Sequence, residues 1–121
     1  MVGFDPYLGA TVTQNIRERL AGTVTEVVEI PQGIRSISPP MKELERLIRA
    51  HEMLHVHNTA ARQCFLNLRC VSDDNENIKP TKKRSRGRID ITVAWIIAFA
   101  TAMLQPAPTL ADSVAADDWH M

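Results

Sequence analysis

Cysteine is scarce: Cys64 and Cys70 are the only two among 121 residues. That excludes a disulfide framework, and their spacing suits no metal site, so both read as packing residues. Net charge is missing too. Fourteen Lys plus Arg balance fourteen Asp plus Glu, which excludes a global field that recruits nucleic acid or an anionic membrane; any such attraction must be local. Long apolar runs are absent. The longest, Ile91 to Leu104, falls well short of the ~20 residues that span a bilayer and has the length of a buried core helix. Met1 to Tyr7 carries neither the basic start nor the apolar stretch of a signal peptide, so the expected compartment is the cytoplasm, with no membrane partner. The sequence also contains no G-x-x-x-x-G-K-S/T loop to cradle a nucleotide's phosphates, and no internal repeat.

What is present, 45% hydrophobic and 23% charged residues, suits one ordinary globular domain. Val2-Gly3-Phe4 reads as the end of a buried strand running into Asp5-Pro6, where proline holds its predecessor extended. Val12, Ile16 and Leu20 recur every fourth position and predict an amphipathic helix from Ala10 to Ala21, stopped by Gly22. Thr23 to Ile30 follows as a strand with Val24, Val28 and Ile30 on one face. Pro31 to Pro40 reads as a loop, and Ser38-Pro39 as the cap and first residue of a helix whose apolar stripe is Met41, Leu44, Leu47 and Ile48. Thr59 to Phe65 then reads as a short helix, Leu66 to Val71 as a short strand, and Ser72 to Asn77 as a polar turn. After the apolar run, Gln105 to Met121 reads as a mobile acidic tail without Lys or Arg. Alternating strands and helices predict an α/β domain with parallel strands. Two strands make a poor sheet beside the usual five or six or about that number, so the chain reads as the back part of such a domain.

Three constellations could carry chemistry. His51-Glu52-Met53-Leu54-His55 fits H-E-x-x-H; on a helix the two histidines would hold Zn²⁺ and Glu52 would activate water, as in a zinc metalloprotease. Against this, no third ligand follows at zincin spacing, and the macrodipole alone favours histidine at a helix C-terminus. Asp5 at a strand end and Asp90 at a helix start are carboxylates that can converge on divalent cations and so polarise a phosphodiester. The competing reading is a turn residue before proline and an acid in a first helical turn. Lys79, Lys82, Lys83, Arg84, Arg86 and Arg88 place six cations in ten residues. They suit either the neutralisation of several phosphates by a nucleic-acid-binding module or a solvated loop.

Several stretches, taken in order, resemble one family. Val2-Gly3-Phe4-Asp5-Pro6-Tyr7, Gln32-Gly33 and the run from Ser38-Pro39-Pro40-Met41 to Leu47-Ile48 are similar to the nuclease region of tailed-phage terminase large subunits. So are Leu54 to Asn58, Asn67, and the series Asn77-Ile78-Lys79-Pro80, Lys82-Lys83, Ser85 and Arg88-Ile89-Asp90, which resembles the family's N-I-K-P-x-K-x-x-S-x-x-x-I-D signature. The resemblance covers residues 2 to 104. It implies a partial RNase H-like fold: the later strands and flanking helices of a mixed α/β sheet, with the early antiparallel strands missing. Residues 1–104 would be the C-terminal part of the nuclease domain, and 105–121 the tail. The implied activity is a metal-dependent endonuclease that cuts concatemeric viral DNA during genome packaging. Asp5 and Asp90 would be carboxylates of a Mg²⁺ or Mn²⁺ site, and the six cations would contact DNA. The family's first carboxylate belongs to an earlier strand, so the chain alone is expected to be inactive. Implied partners are double-stranded viral DNA and, in the intact protein, the terminase small subunit and portal, in the cytoplasm of a bacterial host. The same pattern assigns His55 to a short strand after the helix, which weakens the zinc reading. Ile91 stands for a usual glycine, Thr59 for a proline and Gln63 for a tryptophan; with small Ala60 and Ala61, these departures predict thinner packing near 59–63.

Overall fold

The computed structural model describes residues 1–7 and 9–105, so the tail beyond Gln105 lies outside the described residues. Strand β1 (Val2–Phe4) pairs in parallel with β2 (Val27–Glu29), and helix α1 (Ala10–Leu20) connects them. Helices α2 (Ile34–Arg49) and α3 (Thr59–Asn67) follow. An antiparallel pair, β3 (Cys70–Ser72) and β4 (Ile78–Pro80), leads to the last helix, α4 (Asp90–Met103). The α/β class and the parallel pair are as expected, and the second pair makes the fold mixed. The two pairs do not join, and the far edge of β1 carries no strand among the described residues.

The core forms where α2 crosses α4. Ile37, Met41 and Leu44 on α2 meet Ile96 and Ala100 on α4, with Ile30 closing the cluster from the end of β2. The expected stripe of Met41, Leu44, Leu47 and Ile48 follows the helical period, Met41 and Leu44 buried and Leu47 and Ile48 half-buried, and Ile37, expected in a loop, extends it one turn back. Burial of each large side chain contributes about 1.5–3 kcal/mol. On the opposite face Arg46 pairs with Glu43 and Arg49 with Glu45, ion pairs that water screens and that add little.

Helix α2 starts one turn earlier than the prolines suggest. Gly33 is extended at the N-cap, and its carbonyl accepts the N–H groups of Ser36 and Ile37, both at 3.0 Å. Pro39 and Pro40 therefore lie in the second turn, where they remove the donors that would bond the carbonyls of Arg35 and Ser36. Both of those residues are exposed, so water can satisfy the carbonyls. Ser38, released from capping, is 1% exposed, and its Oγ accepts the Ile78 N–H at 3.0 Å, tying α2 to the first residue of β4.

Strand β2 is shorter than the expected Thr23 to Ile30, because β1 offers only three residues to pair with it. Before it, the Thr23 hydroxyl donates to the Leu20 carbonyl and accepts the Thr25 N–H, a turn that leaves Val24 fully exposed instead of on the buried face. The β3–β4 loop is organised by Asp73, whose carboxylate accepts the N–H groups of Asn75 and Asn77 and the Asn77 side-chain amide. These bonds, the Asn77 side chain foremost, hold the Asp73 carboxyl below its ordinary value.

The expected core helix α4 buries one stripe, Thr92, Ile96, Ala100 and Thr101, while Ile91, Met103 and Leu104 are exposed. Strand β1 lies against it at Gly3, where a Cβ would collide with the Thr101 hydroxyl. Gly3→Ala should therefore lower stability by about 1–3 kcal/mol, read as a lower urea midpoint, and Thr101→Ala in the same chain should recover part of the loss. Stability contributed by Asp73 should be full above its ordinary pKa of 3.8 and lost as pH falls through its lowered folded value. Urea midpoints taken from neutral to acid pH should accordingly fall less steeply in Asp73→Asn than in the unmodified chain.

Candidate functional site

The basic segment is a built turn that leads into α4. Thr81 N–H donates to the Arg69 carbonyl at 2.9 Å, and the Ser85 hydroxyl donates to the Thr81 carbonyl at 2.6 Å while accepting the Arg69 N–H at 3.1 Å. Arg86 N–H donates to the Asn67 carbonyl at 3.2 Å, and Asn67 Nδ2 to the Arg88 carbonyl at 3.1 Å. Lys82, Lys83, Arg84, Arg86 and Arg88 are exposed on this frame; Lys79 differs, being half-buried in β4. Ile89, 2% exposed, anchors the exit, so Asp90 opens the helix from the surface. There its carboxylate faces the positive end of the macrodipole, with Lys82 Nζ 3.9 Å from its Oδ1.

Asp5, the other expected carboxylate, follows β1 and is half-buried, its Oδ1 accepting the Tyr7 N–H at 2.9 Å across Pro6. A cleft of about 460 Å³ between β1 and α4 is lined by both Asp5 and Ala94. Ala94 is one helical turn from Asp90, but Asp90 itself does not line this cleft. The oxygens of both carboxylates are donors of the hardness that Mg²⁺ and Mn²⁺ prefer. Among the described residues, however, no group of three His, Cys, Asp or Glu side chains is placed to hold a metal ion. Two carboxylates do not by themselves fit a two-metal site, whose ions need about six oxygens each.

The zinc reading of His51, Glu52 and His55 is overturned. Helix α2 ends at Arg49, and His51 turns into the left-handed region at φ 56°. His51 N–H bonds the Ile48 carbonyl and Glu52 N–H the Leu47 carbonyl, the paired closure of a Schellman end. His51 and His55 therefore share no helical face, and the His55 ring packs against Trp95 with centroids 5.6 Å apart. A cleft of about 720 Å³ runs along this segment beside Trp95 and is lined by neither Asp5 nor Asp90. Cys64 is buried as expected, whereas Cys70 is exposed on β3. Near 59–63, where thinner packing is expected, Thr59, Ala60 and Gln63 face solvent on α3 and Ala61 lines the cleft beside Trp95.

Asn67 and Ser85 are structural centres of the turn that residue chemistry did not single out. The signal available was their place in the signature, a fixed offset from the cations, which carries no statement of which carbonyl each would reach. Ser38 was assigned a cap and instead serves β4.

The family model for the terminase large subunit, endonuclease domain, matches residues 1–105. The chain belongs to this family. Protein YmfN of Escherichia coli strain K12 is 33% identical over 113 residues, which is 91% of this chain and 24% of that protein. The crystal structure of the HK97 bacteriophage large terminase is similar with a TM-score of 0.67 and 26% identity, covering 82% of this chain and 20% of that one. The chain thus spans about a quarter of the curated relative's length and a fifth of the solved one's. Its mixed α/β arrangement corresponds to a partial RNase H-like fold. No helix among the described residues is long and apolar enough to cross a membrane.

Two measurements check the account of the α2 end. Added Zn²⁺ should leave the melting temperature unchanged. His51→Gly should raise stability by about 1 kcal/mol, since a left-handed position suits glycine; a loss of stability would contradict the closure described.

Proposed function

We propose that the chain is part of a phage terminase endonuclease acting on double-stranded viral DNA, in which the turn at 79–88 holds the duplex backbone and Asp90 and Asp5 contribute carboxylates at the point of cleavage. The observation that carries this is the direct passage of the cationic turn into Asp90, with Lys82 Nζ 3.9 Å from its Oδ1. Exposed Lys and Arg bind phosphates by releasing counterions and do so without reading sequence. A carboxylate set among them weakens that attraction. Its presence is accounted for when it serves chemistry at the phosphate instead of holding the strand.

Mg²⁺ or Mn²⁺ is the ion class suited to these oxygens, and at least one further carboxylate is needed to complete its shell. In the intact terminase, the small subunit and portal are the protein partners of this reading, in the cytoplasm of the bacterial host. The short donor set favours a second reading for the chain by itself: a module that binds DNA through the same cations without cutting it.

Binding of duplex DNA at several salt concentrations separates the roles. Neutralising Lys82, Lys83 and Arg84 to Ala should weaken binding across all sequences and flatten the log–log salt slope by roughly 0.9 per lost phosphate contact. Asp90→Asn should leave binding intact or slightly tighter, and in a full-length terminase it should abolish cleavage. Equal loss of binding in both variants would make Asp90 structural and end this assignment.

A further inference from the structure

The cations of the basic turn point to solvent while its backbone is held, and one of the side chains that hold it comes from outside the turn. Asn67, the last residue of α3, reaches across 21 positions of sequence to donate Nδ2 to the Arg88 carbonyl, and its own carbonyl accepts the Arg86 N–H. Its Oδ1 accepts Gln63 Nε2 at 3.0 Å, one turn back on the same helix. The Arg88 carbonyl can only accept, so it orients the amide: nitrogen toward the turn, oxygen toward Gln63. Gly87 passes directly beside it, since a Cβ there would sit 2.8 Å from Asn67 Nδ2. Asn67 therefore engages Arg86, Gly87 and Arg88 together, the three residues that precede Ile89 and Asp90.

Such a hold has an energetic reason. Lys82, Lys83, Arg84, Arg86 and Arg88 lie within seven residues and repel one another, and a segment of this kind spreads when unrestrained. Ordering it at the moment of binding would cost affinity for each side chain and loop residue immobilised. A turn whose backbone is already fixed avoids most of that cost.

We propose that Asn67 is the positioning residue of the phosphate-contacting turn: by holding Arg86 to Arg88 it sets the cations and Asp90 in one fixed relation, so that a duplex docked on the cations lies beside the carboxylate. The inference rests on the reading of the turn as DNA-contacting and deepens it. Asn67 acts through the turn, so its removal changes no charge.

The test uses the full chain and short duplex DNA. Asn67→Ala should lower affinity about tenfold at fixed salt, with every cation still present. Gly87→Ala, which drives a methyl group against the same amide, should weaken binding similarly. In the double variant the losses should combine to much less than their product, because both changes act on one contact; a general loss of stability would multiply them. Hydrogen exchange on the unmodified chain adds a readout that needs no variant to fold: the Arg86 amide should be protected. Unchanged affinity in folded Asn67→Ala or in Gly87→Ala, multiplying losses, or free exchange at Arg86 would each overturn the proposal. The triple neutralisation of Lys82, Lys83 and Arg84 is the control. If it weakens binding while Asn67→Ala and Gly87→Ala do not, only the positioning role fails; if it leaves binding unchanged, the DNA-contact reading fails and takes this inference with it.

Discussion

Helix α4 has almost no polar face to give to solvent, and the rest of the molecule is arranged around covering it. A helix apolar on all sides is stable in water only when neighbours approach from several directions. Here α2 supplies the largest contact through Ile37, Met41 and Leu44, α3 lies along a second side, and β1 along a third. The third contact depends on the absence of a side chain at Gly3, which brings strand backbone against the Thr101 hydroxyl. The elements that meet α4 are consequently those that carry Asp5, the Asn67 hold and the Ser38 tie to β4. Core and candidate site depend on one helix.

That dependence sets an electrostatic problem at the start of α4. The N-terminus of a helix carries partial positive charge, and the segment entering it brings five exposed cations. Cations there are unfavourable, and the chain compensates in two ways. Asp90 puts a negative charge in the first turn between the dipole and the cations. Hydrogen bonds from Asn67 and Ser85 then hold the turn against its own repulsion, using uncharged groups that salt does not screen. At high ionic strength the repulsion among the cations weakens while the frame persists. The shape of the turn rests on these bonds and not on its charges.

Where the sequence was legible, the signal was local and periodic. The α2 stripe at Met41, Leu44, Leu47 and Ile48 could be read because the helical period reports a face directly, and the turn before β4 because Asp and Asn announce it. The start of α2 was misplaced because proline is favoured at a first helical position, whereas Pro39 and Pro40 sit in the second turn with exposed carbonyls behind them. The length of β2 is set by its partner, and no property of Thr23 to Glu26 announces that β1 has three residues to offer. Strand β4, Ile78-Lys79-Pro80, shows no alternation to read. Of the site, the charges and carboxylates were visible as residue types, but Asn67 acts on Arg88 through a contact that exists only after folding. The H-E-x-x-H match failed for a related reason: its meaning depends on a helix that stops two residues before the first histidine.

The departures from the family pattern fall where they alter the site's surroundings more than its packing. Gln63, where the resemblance implies a tryptophan, is exposed and donates its amide to Asn67 Oδ1, so this residue braces the side chain that holds the turn. Loss of a large ring at an exposed position forfeits little burial, while the bond satisfies the Asn67 oxygen, which the Arg88 carbonyl cannot. Ile91 has the opposite character. Glycine inside a helix is unfavourable by up to about 1 kcal/mol relative to ordinary residues, so isoleucine strengthens the first turn of α4. It also places a branched, 42% exposed side chain next to Asp90. Beside Asp90 this is bulk that glycine would not present. The residue at 91 thus acts on two different quantities, the stability of the helix that carries Asp90 and the space beside that carboxylate.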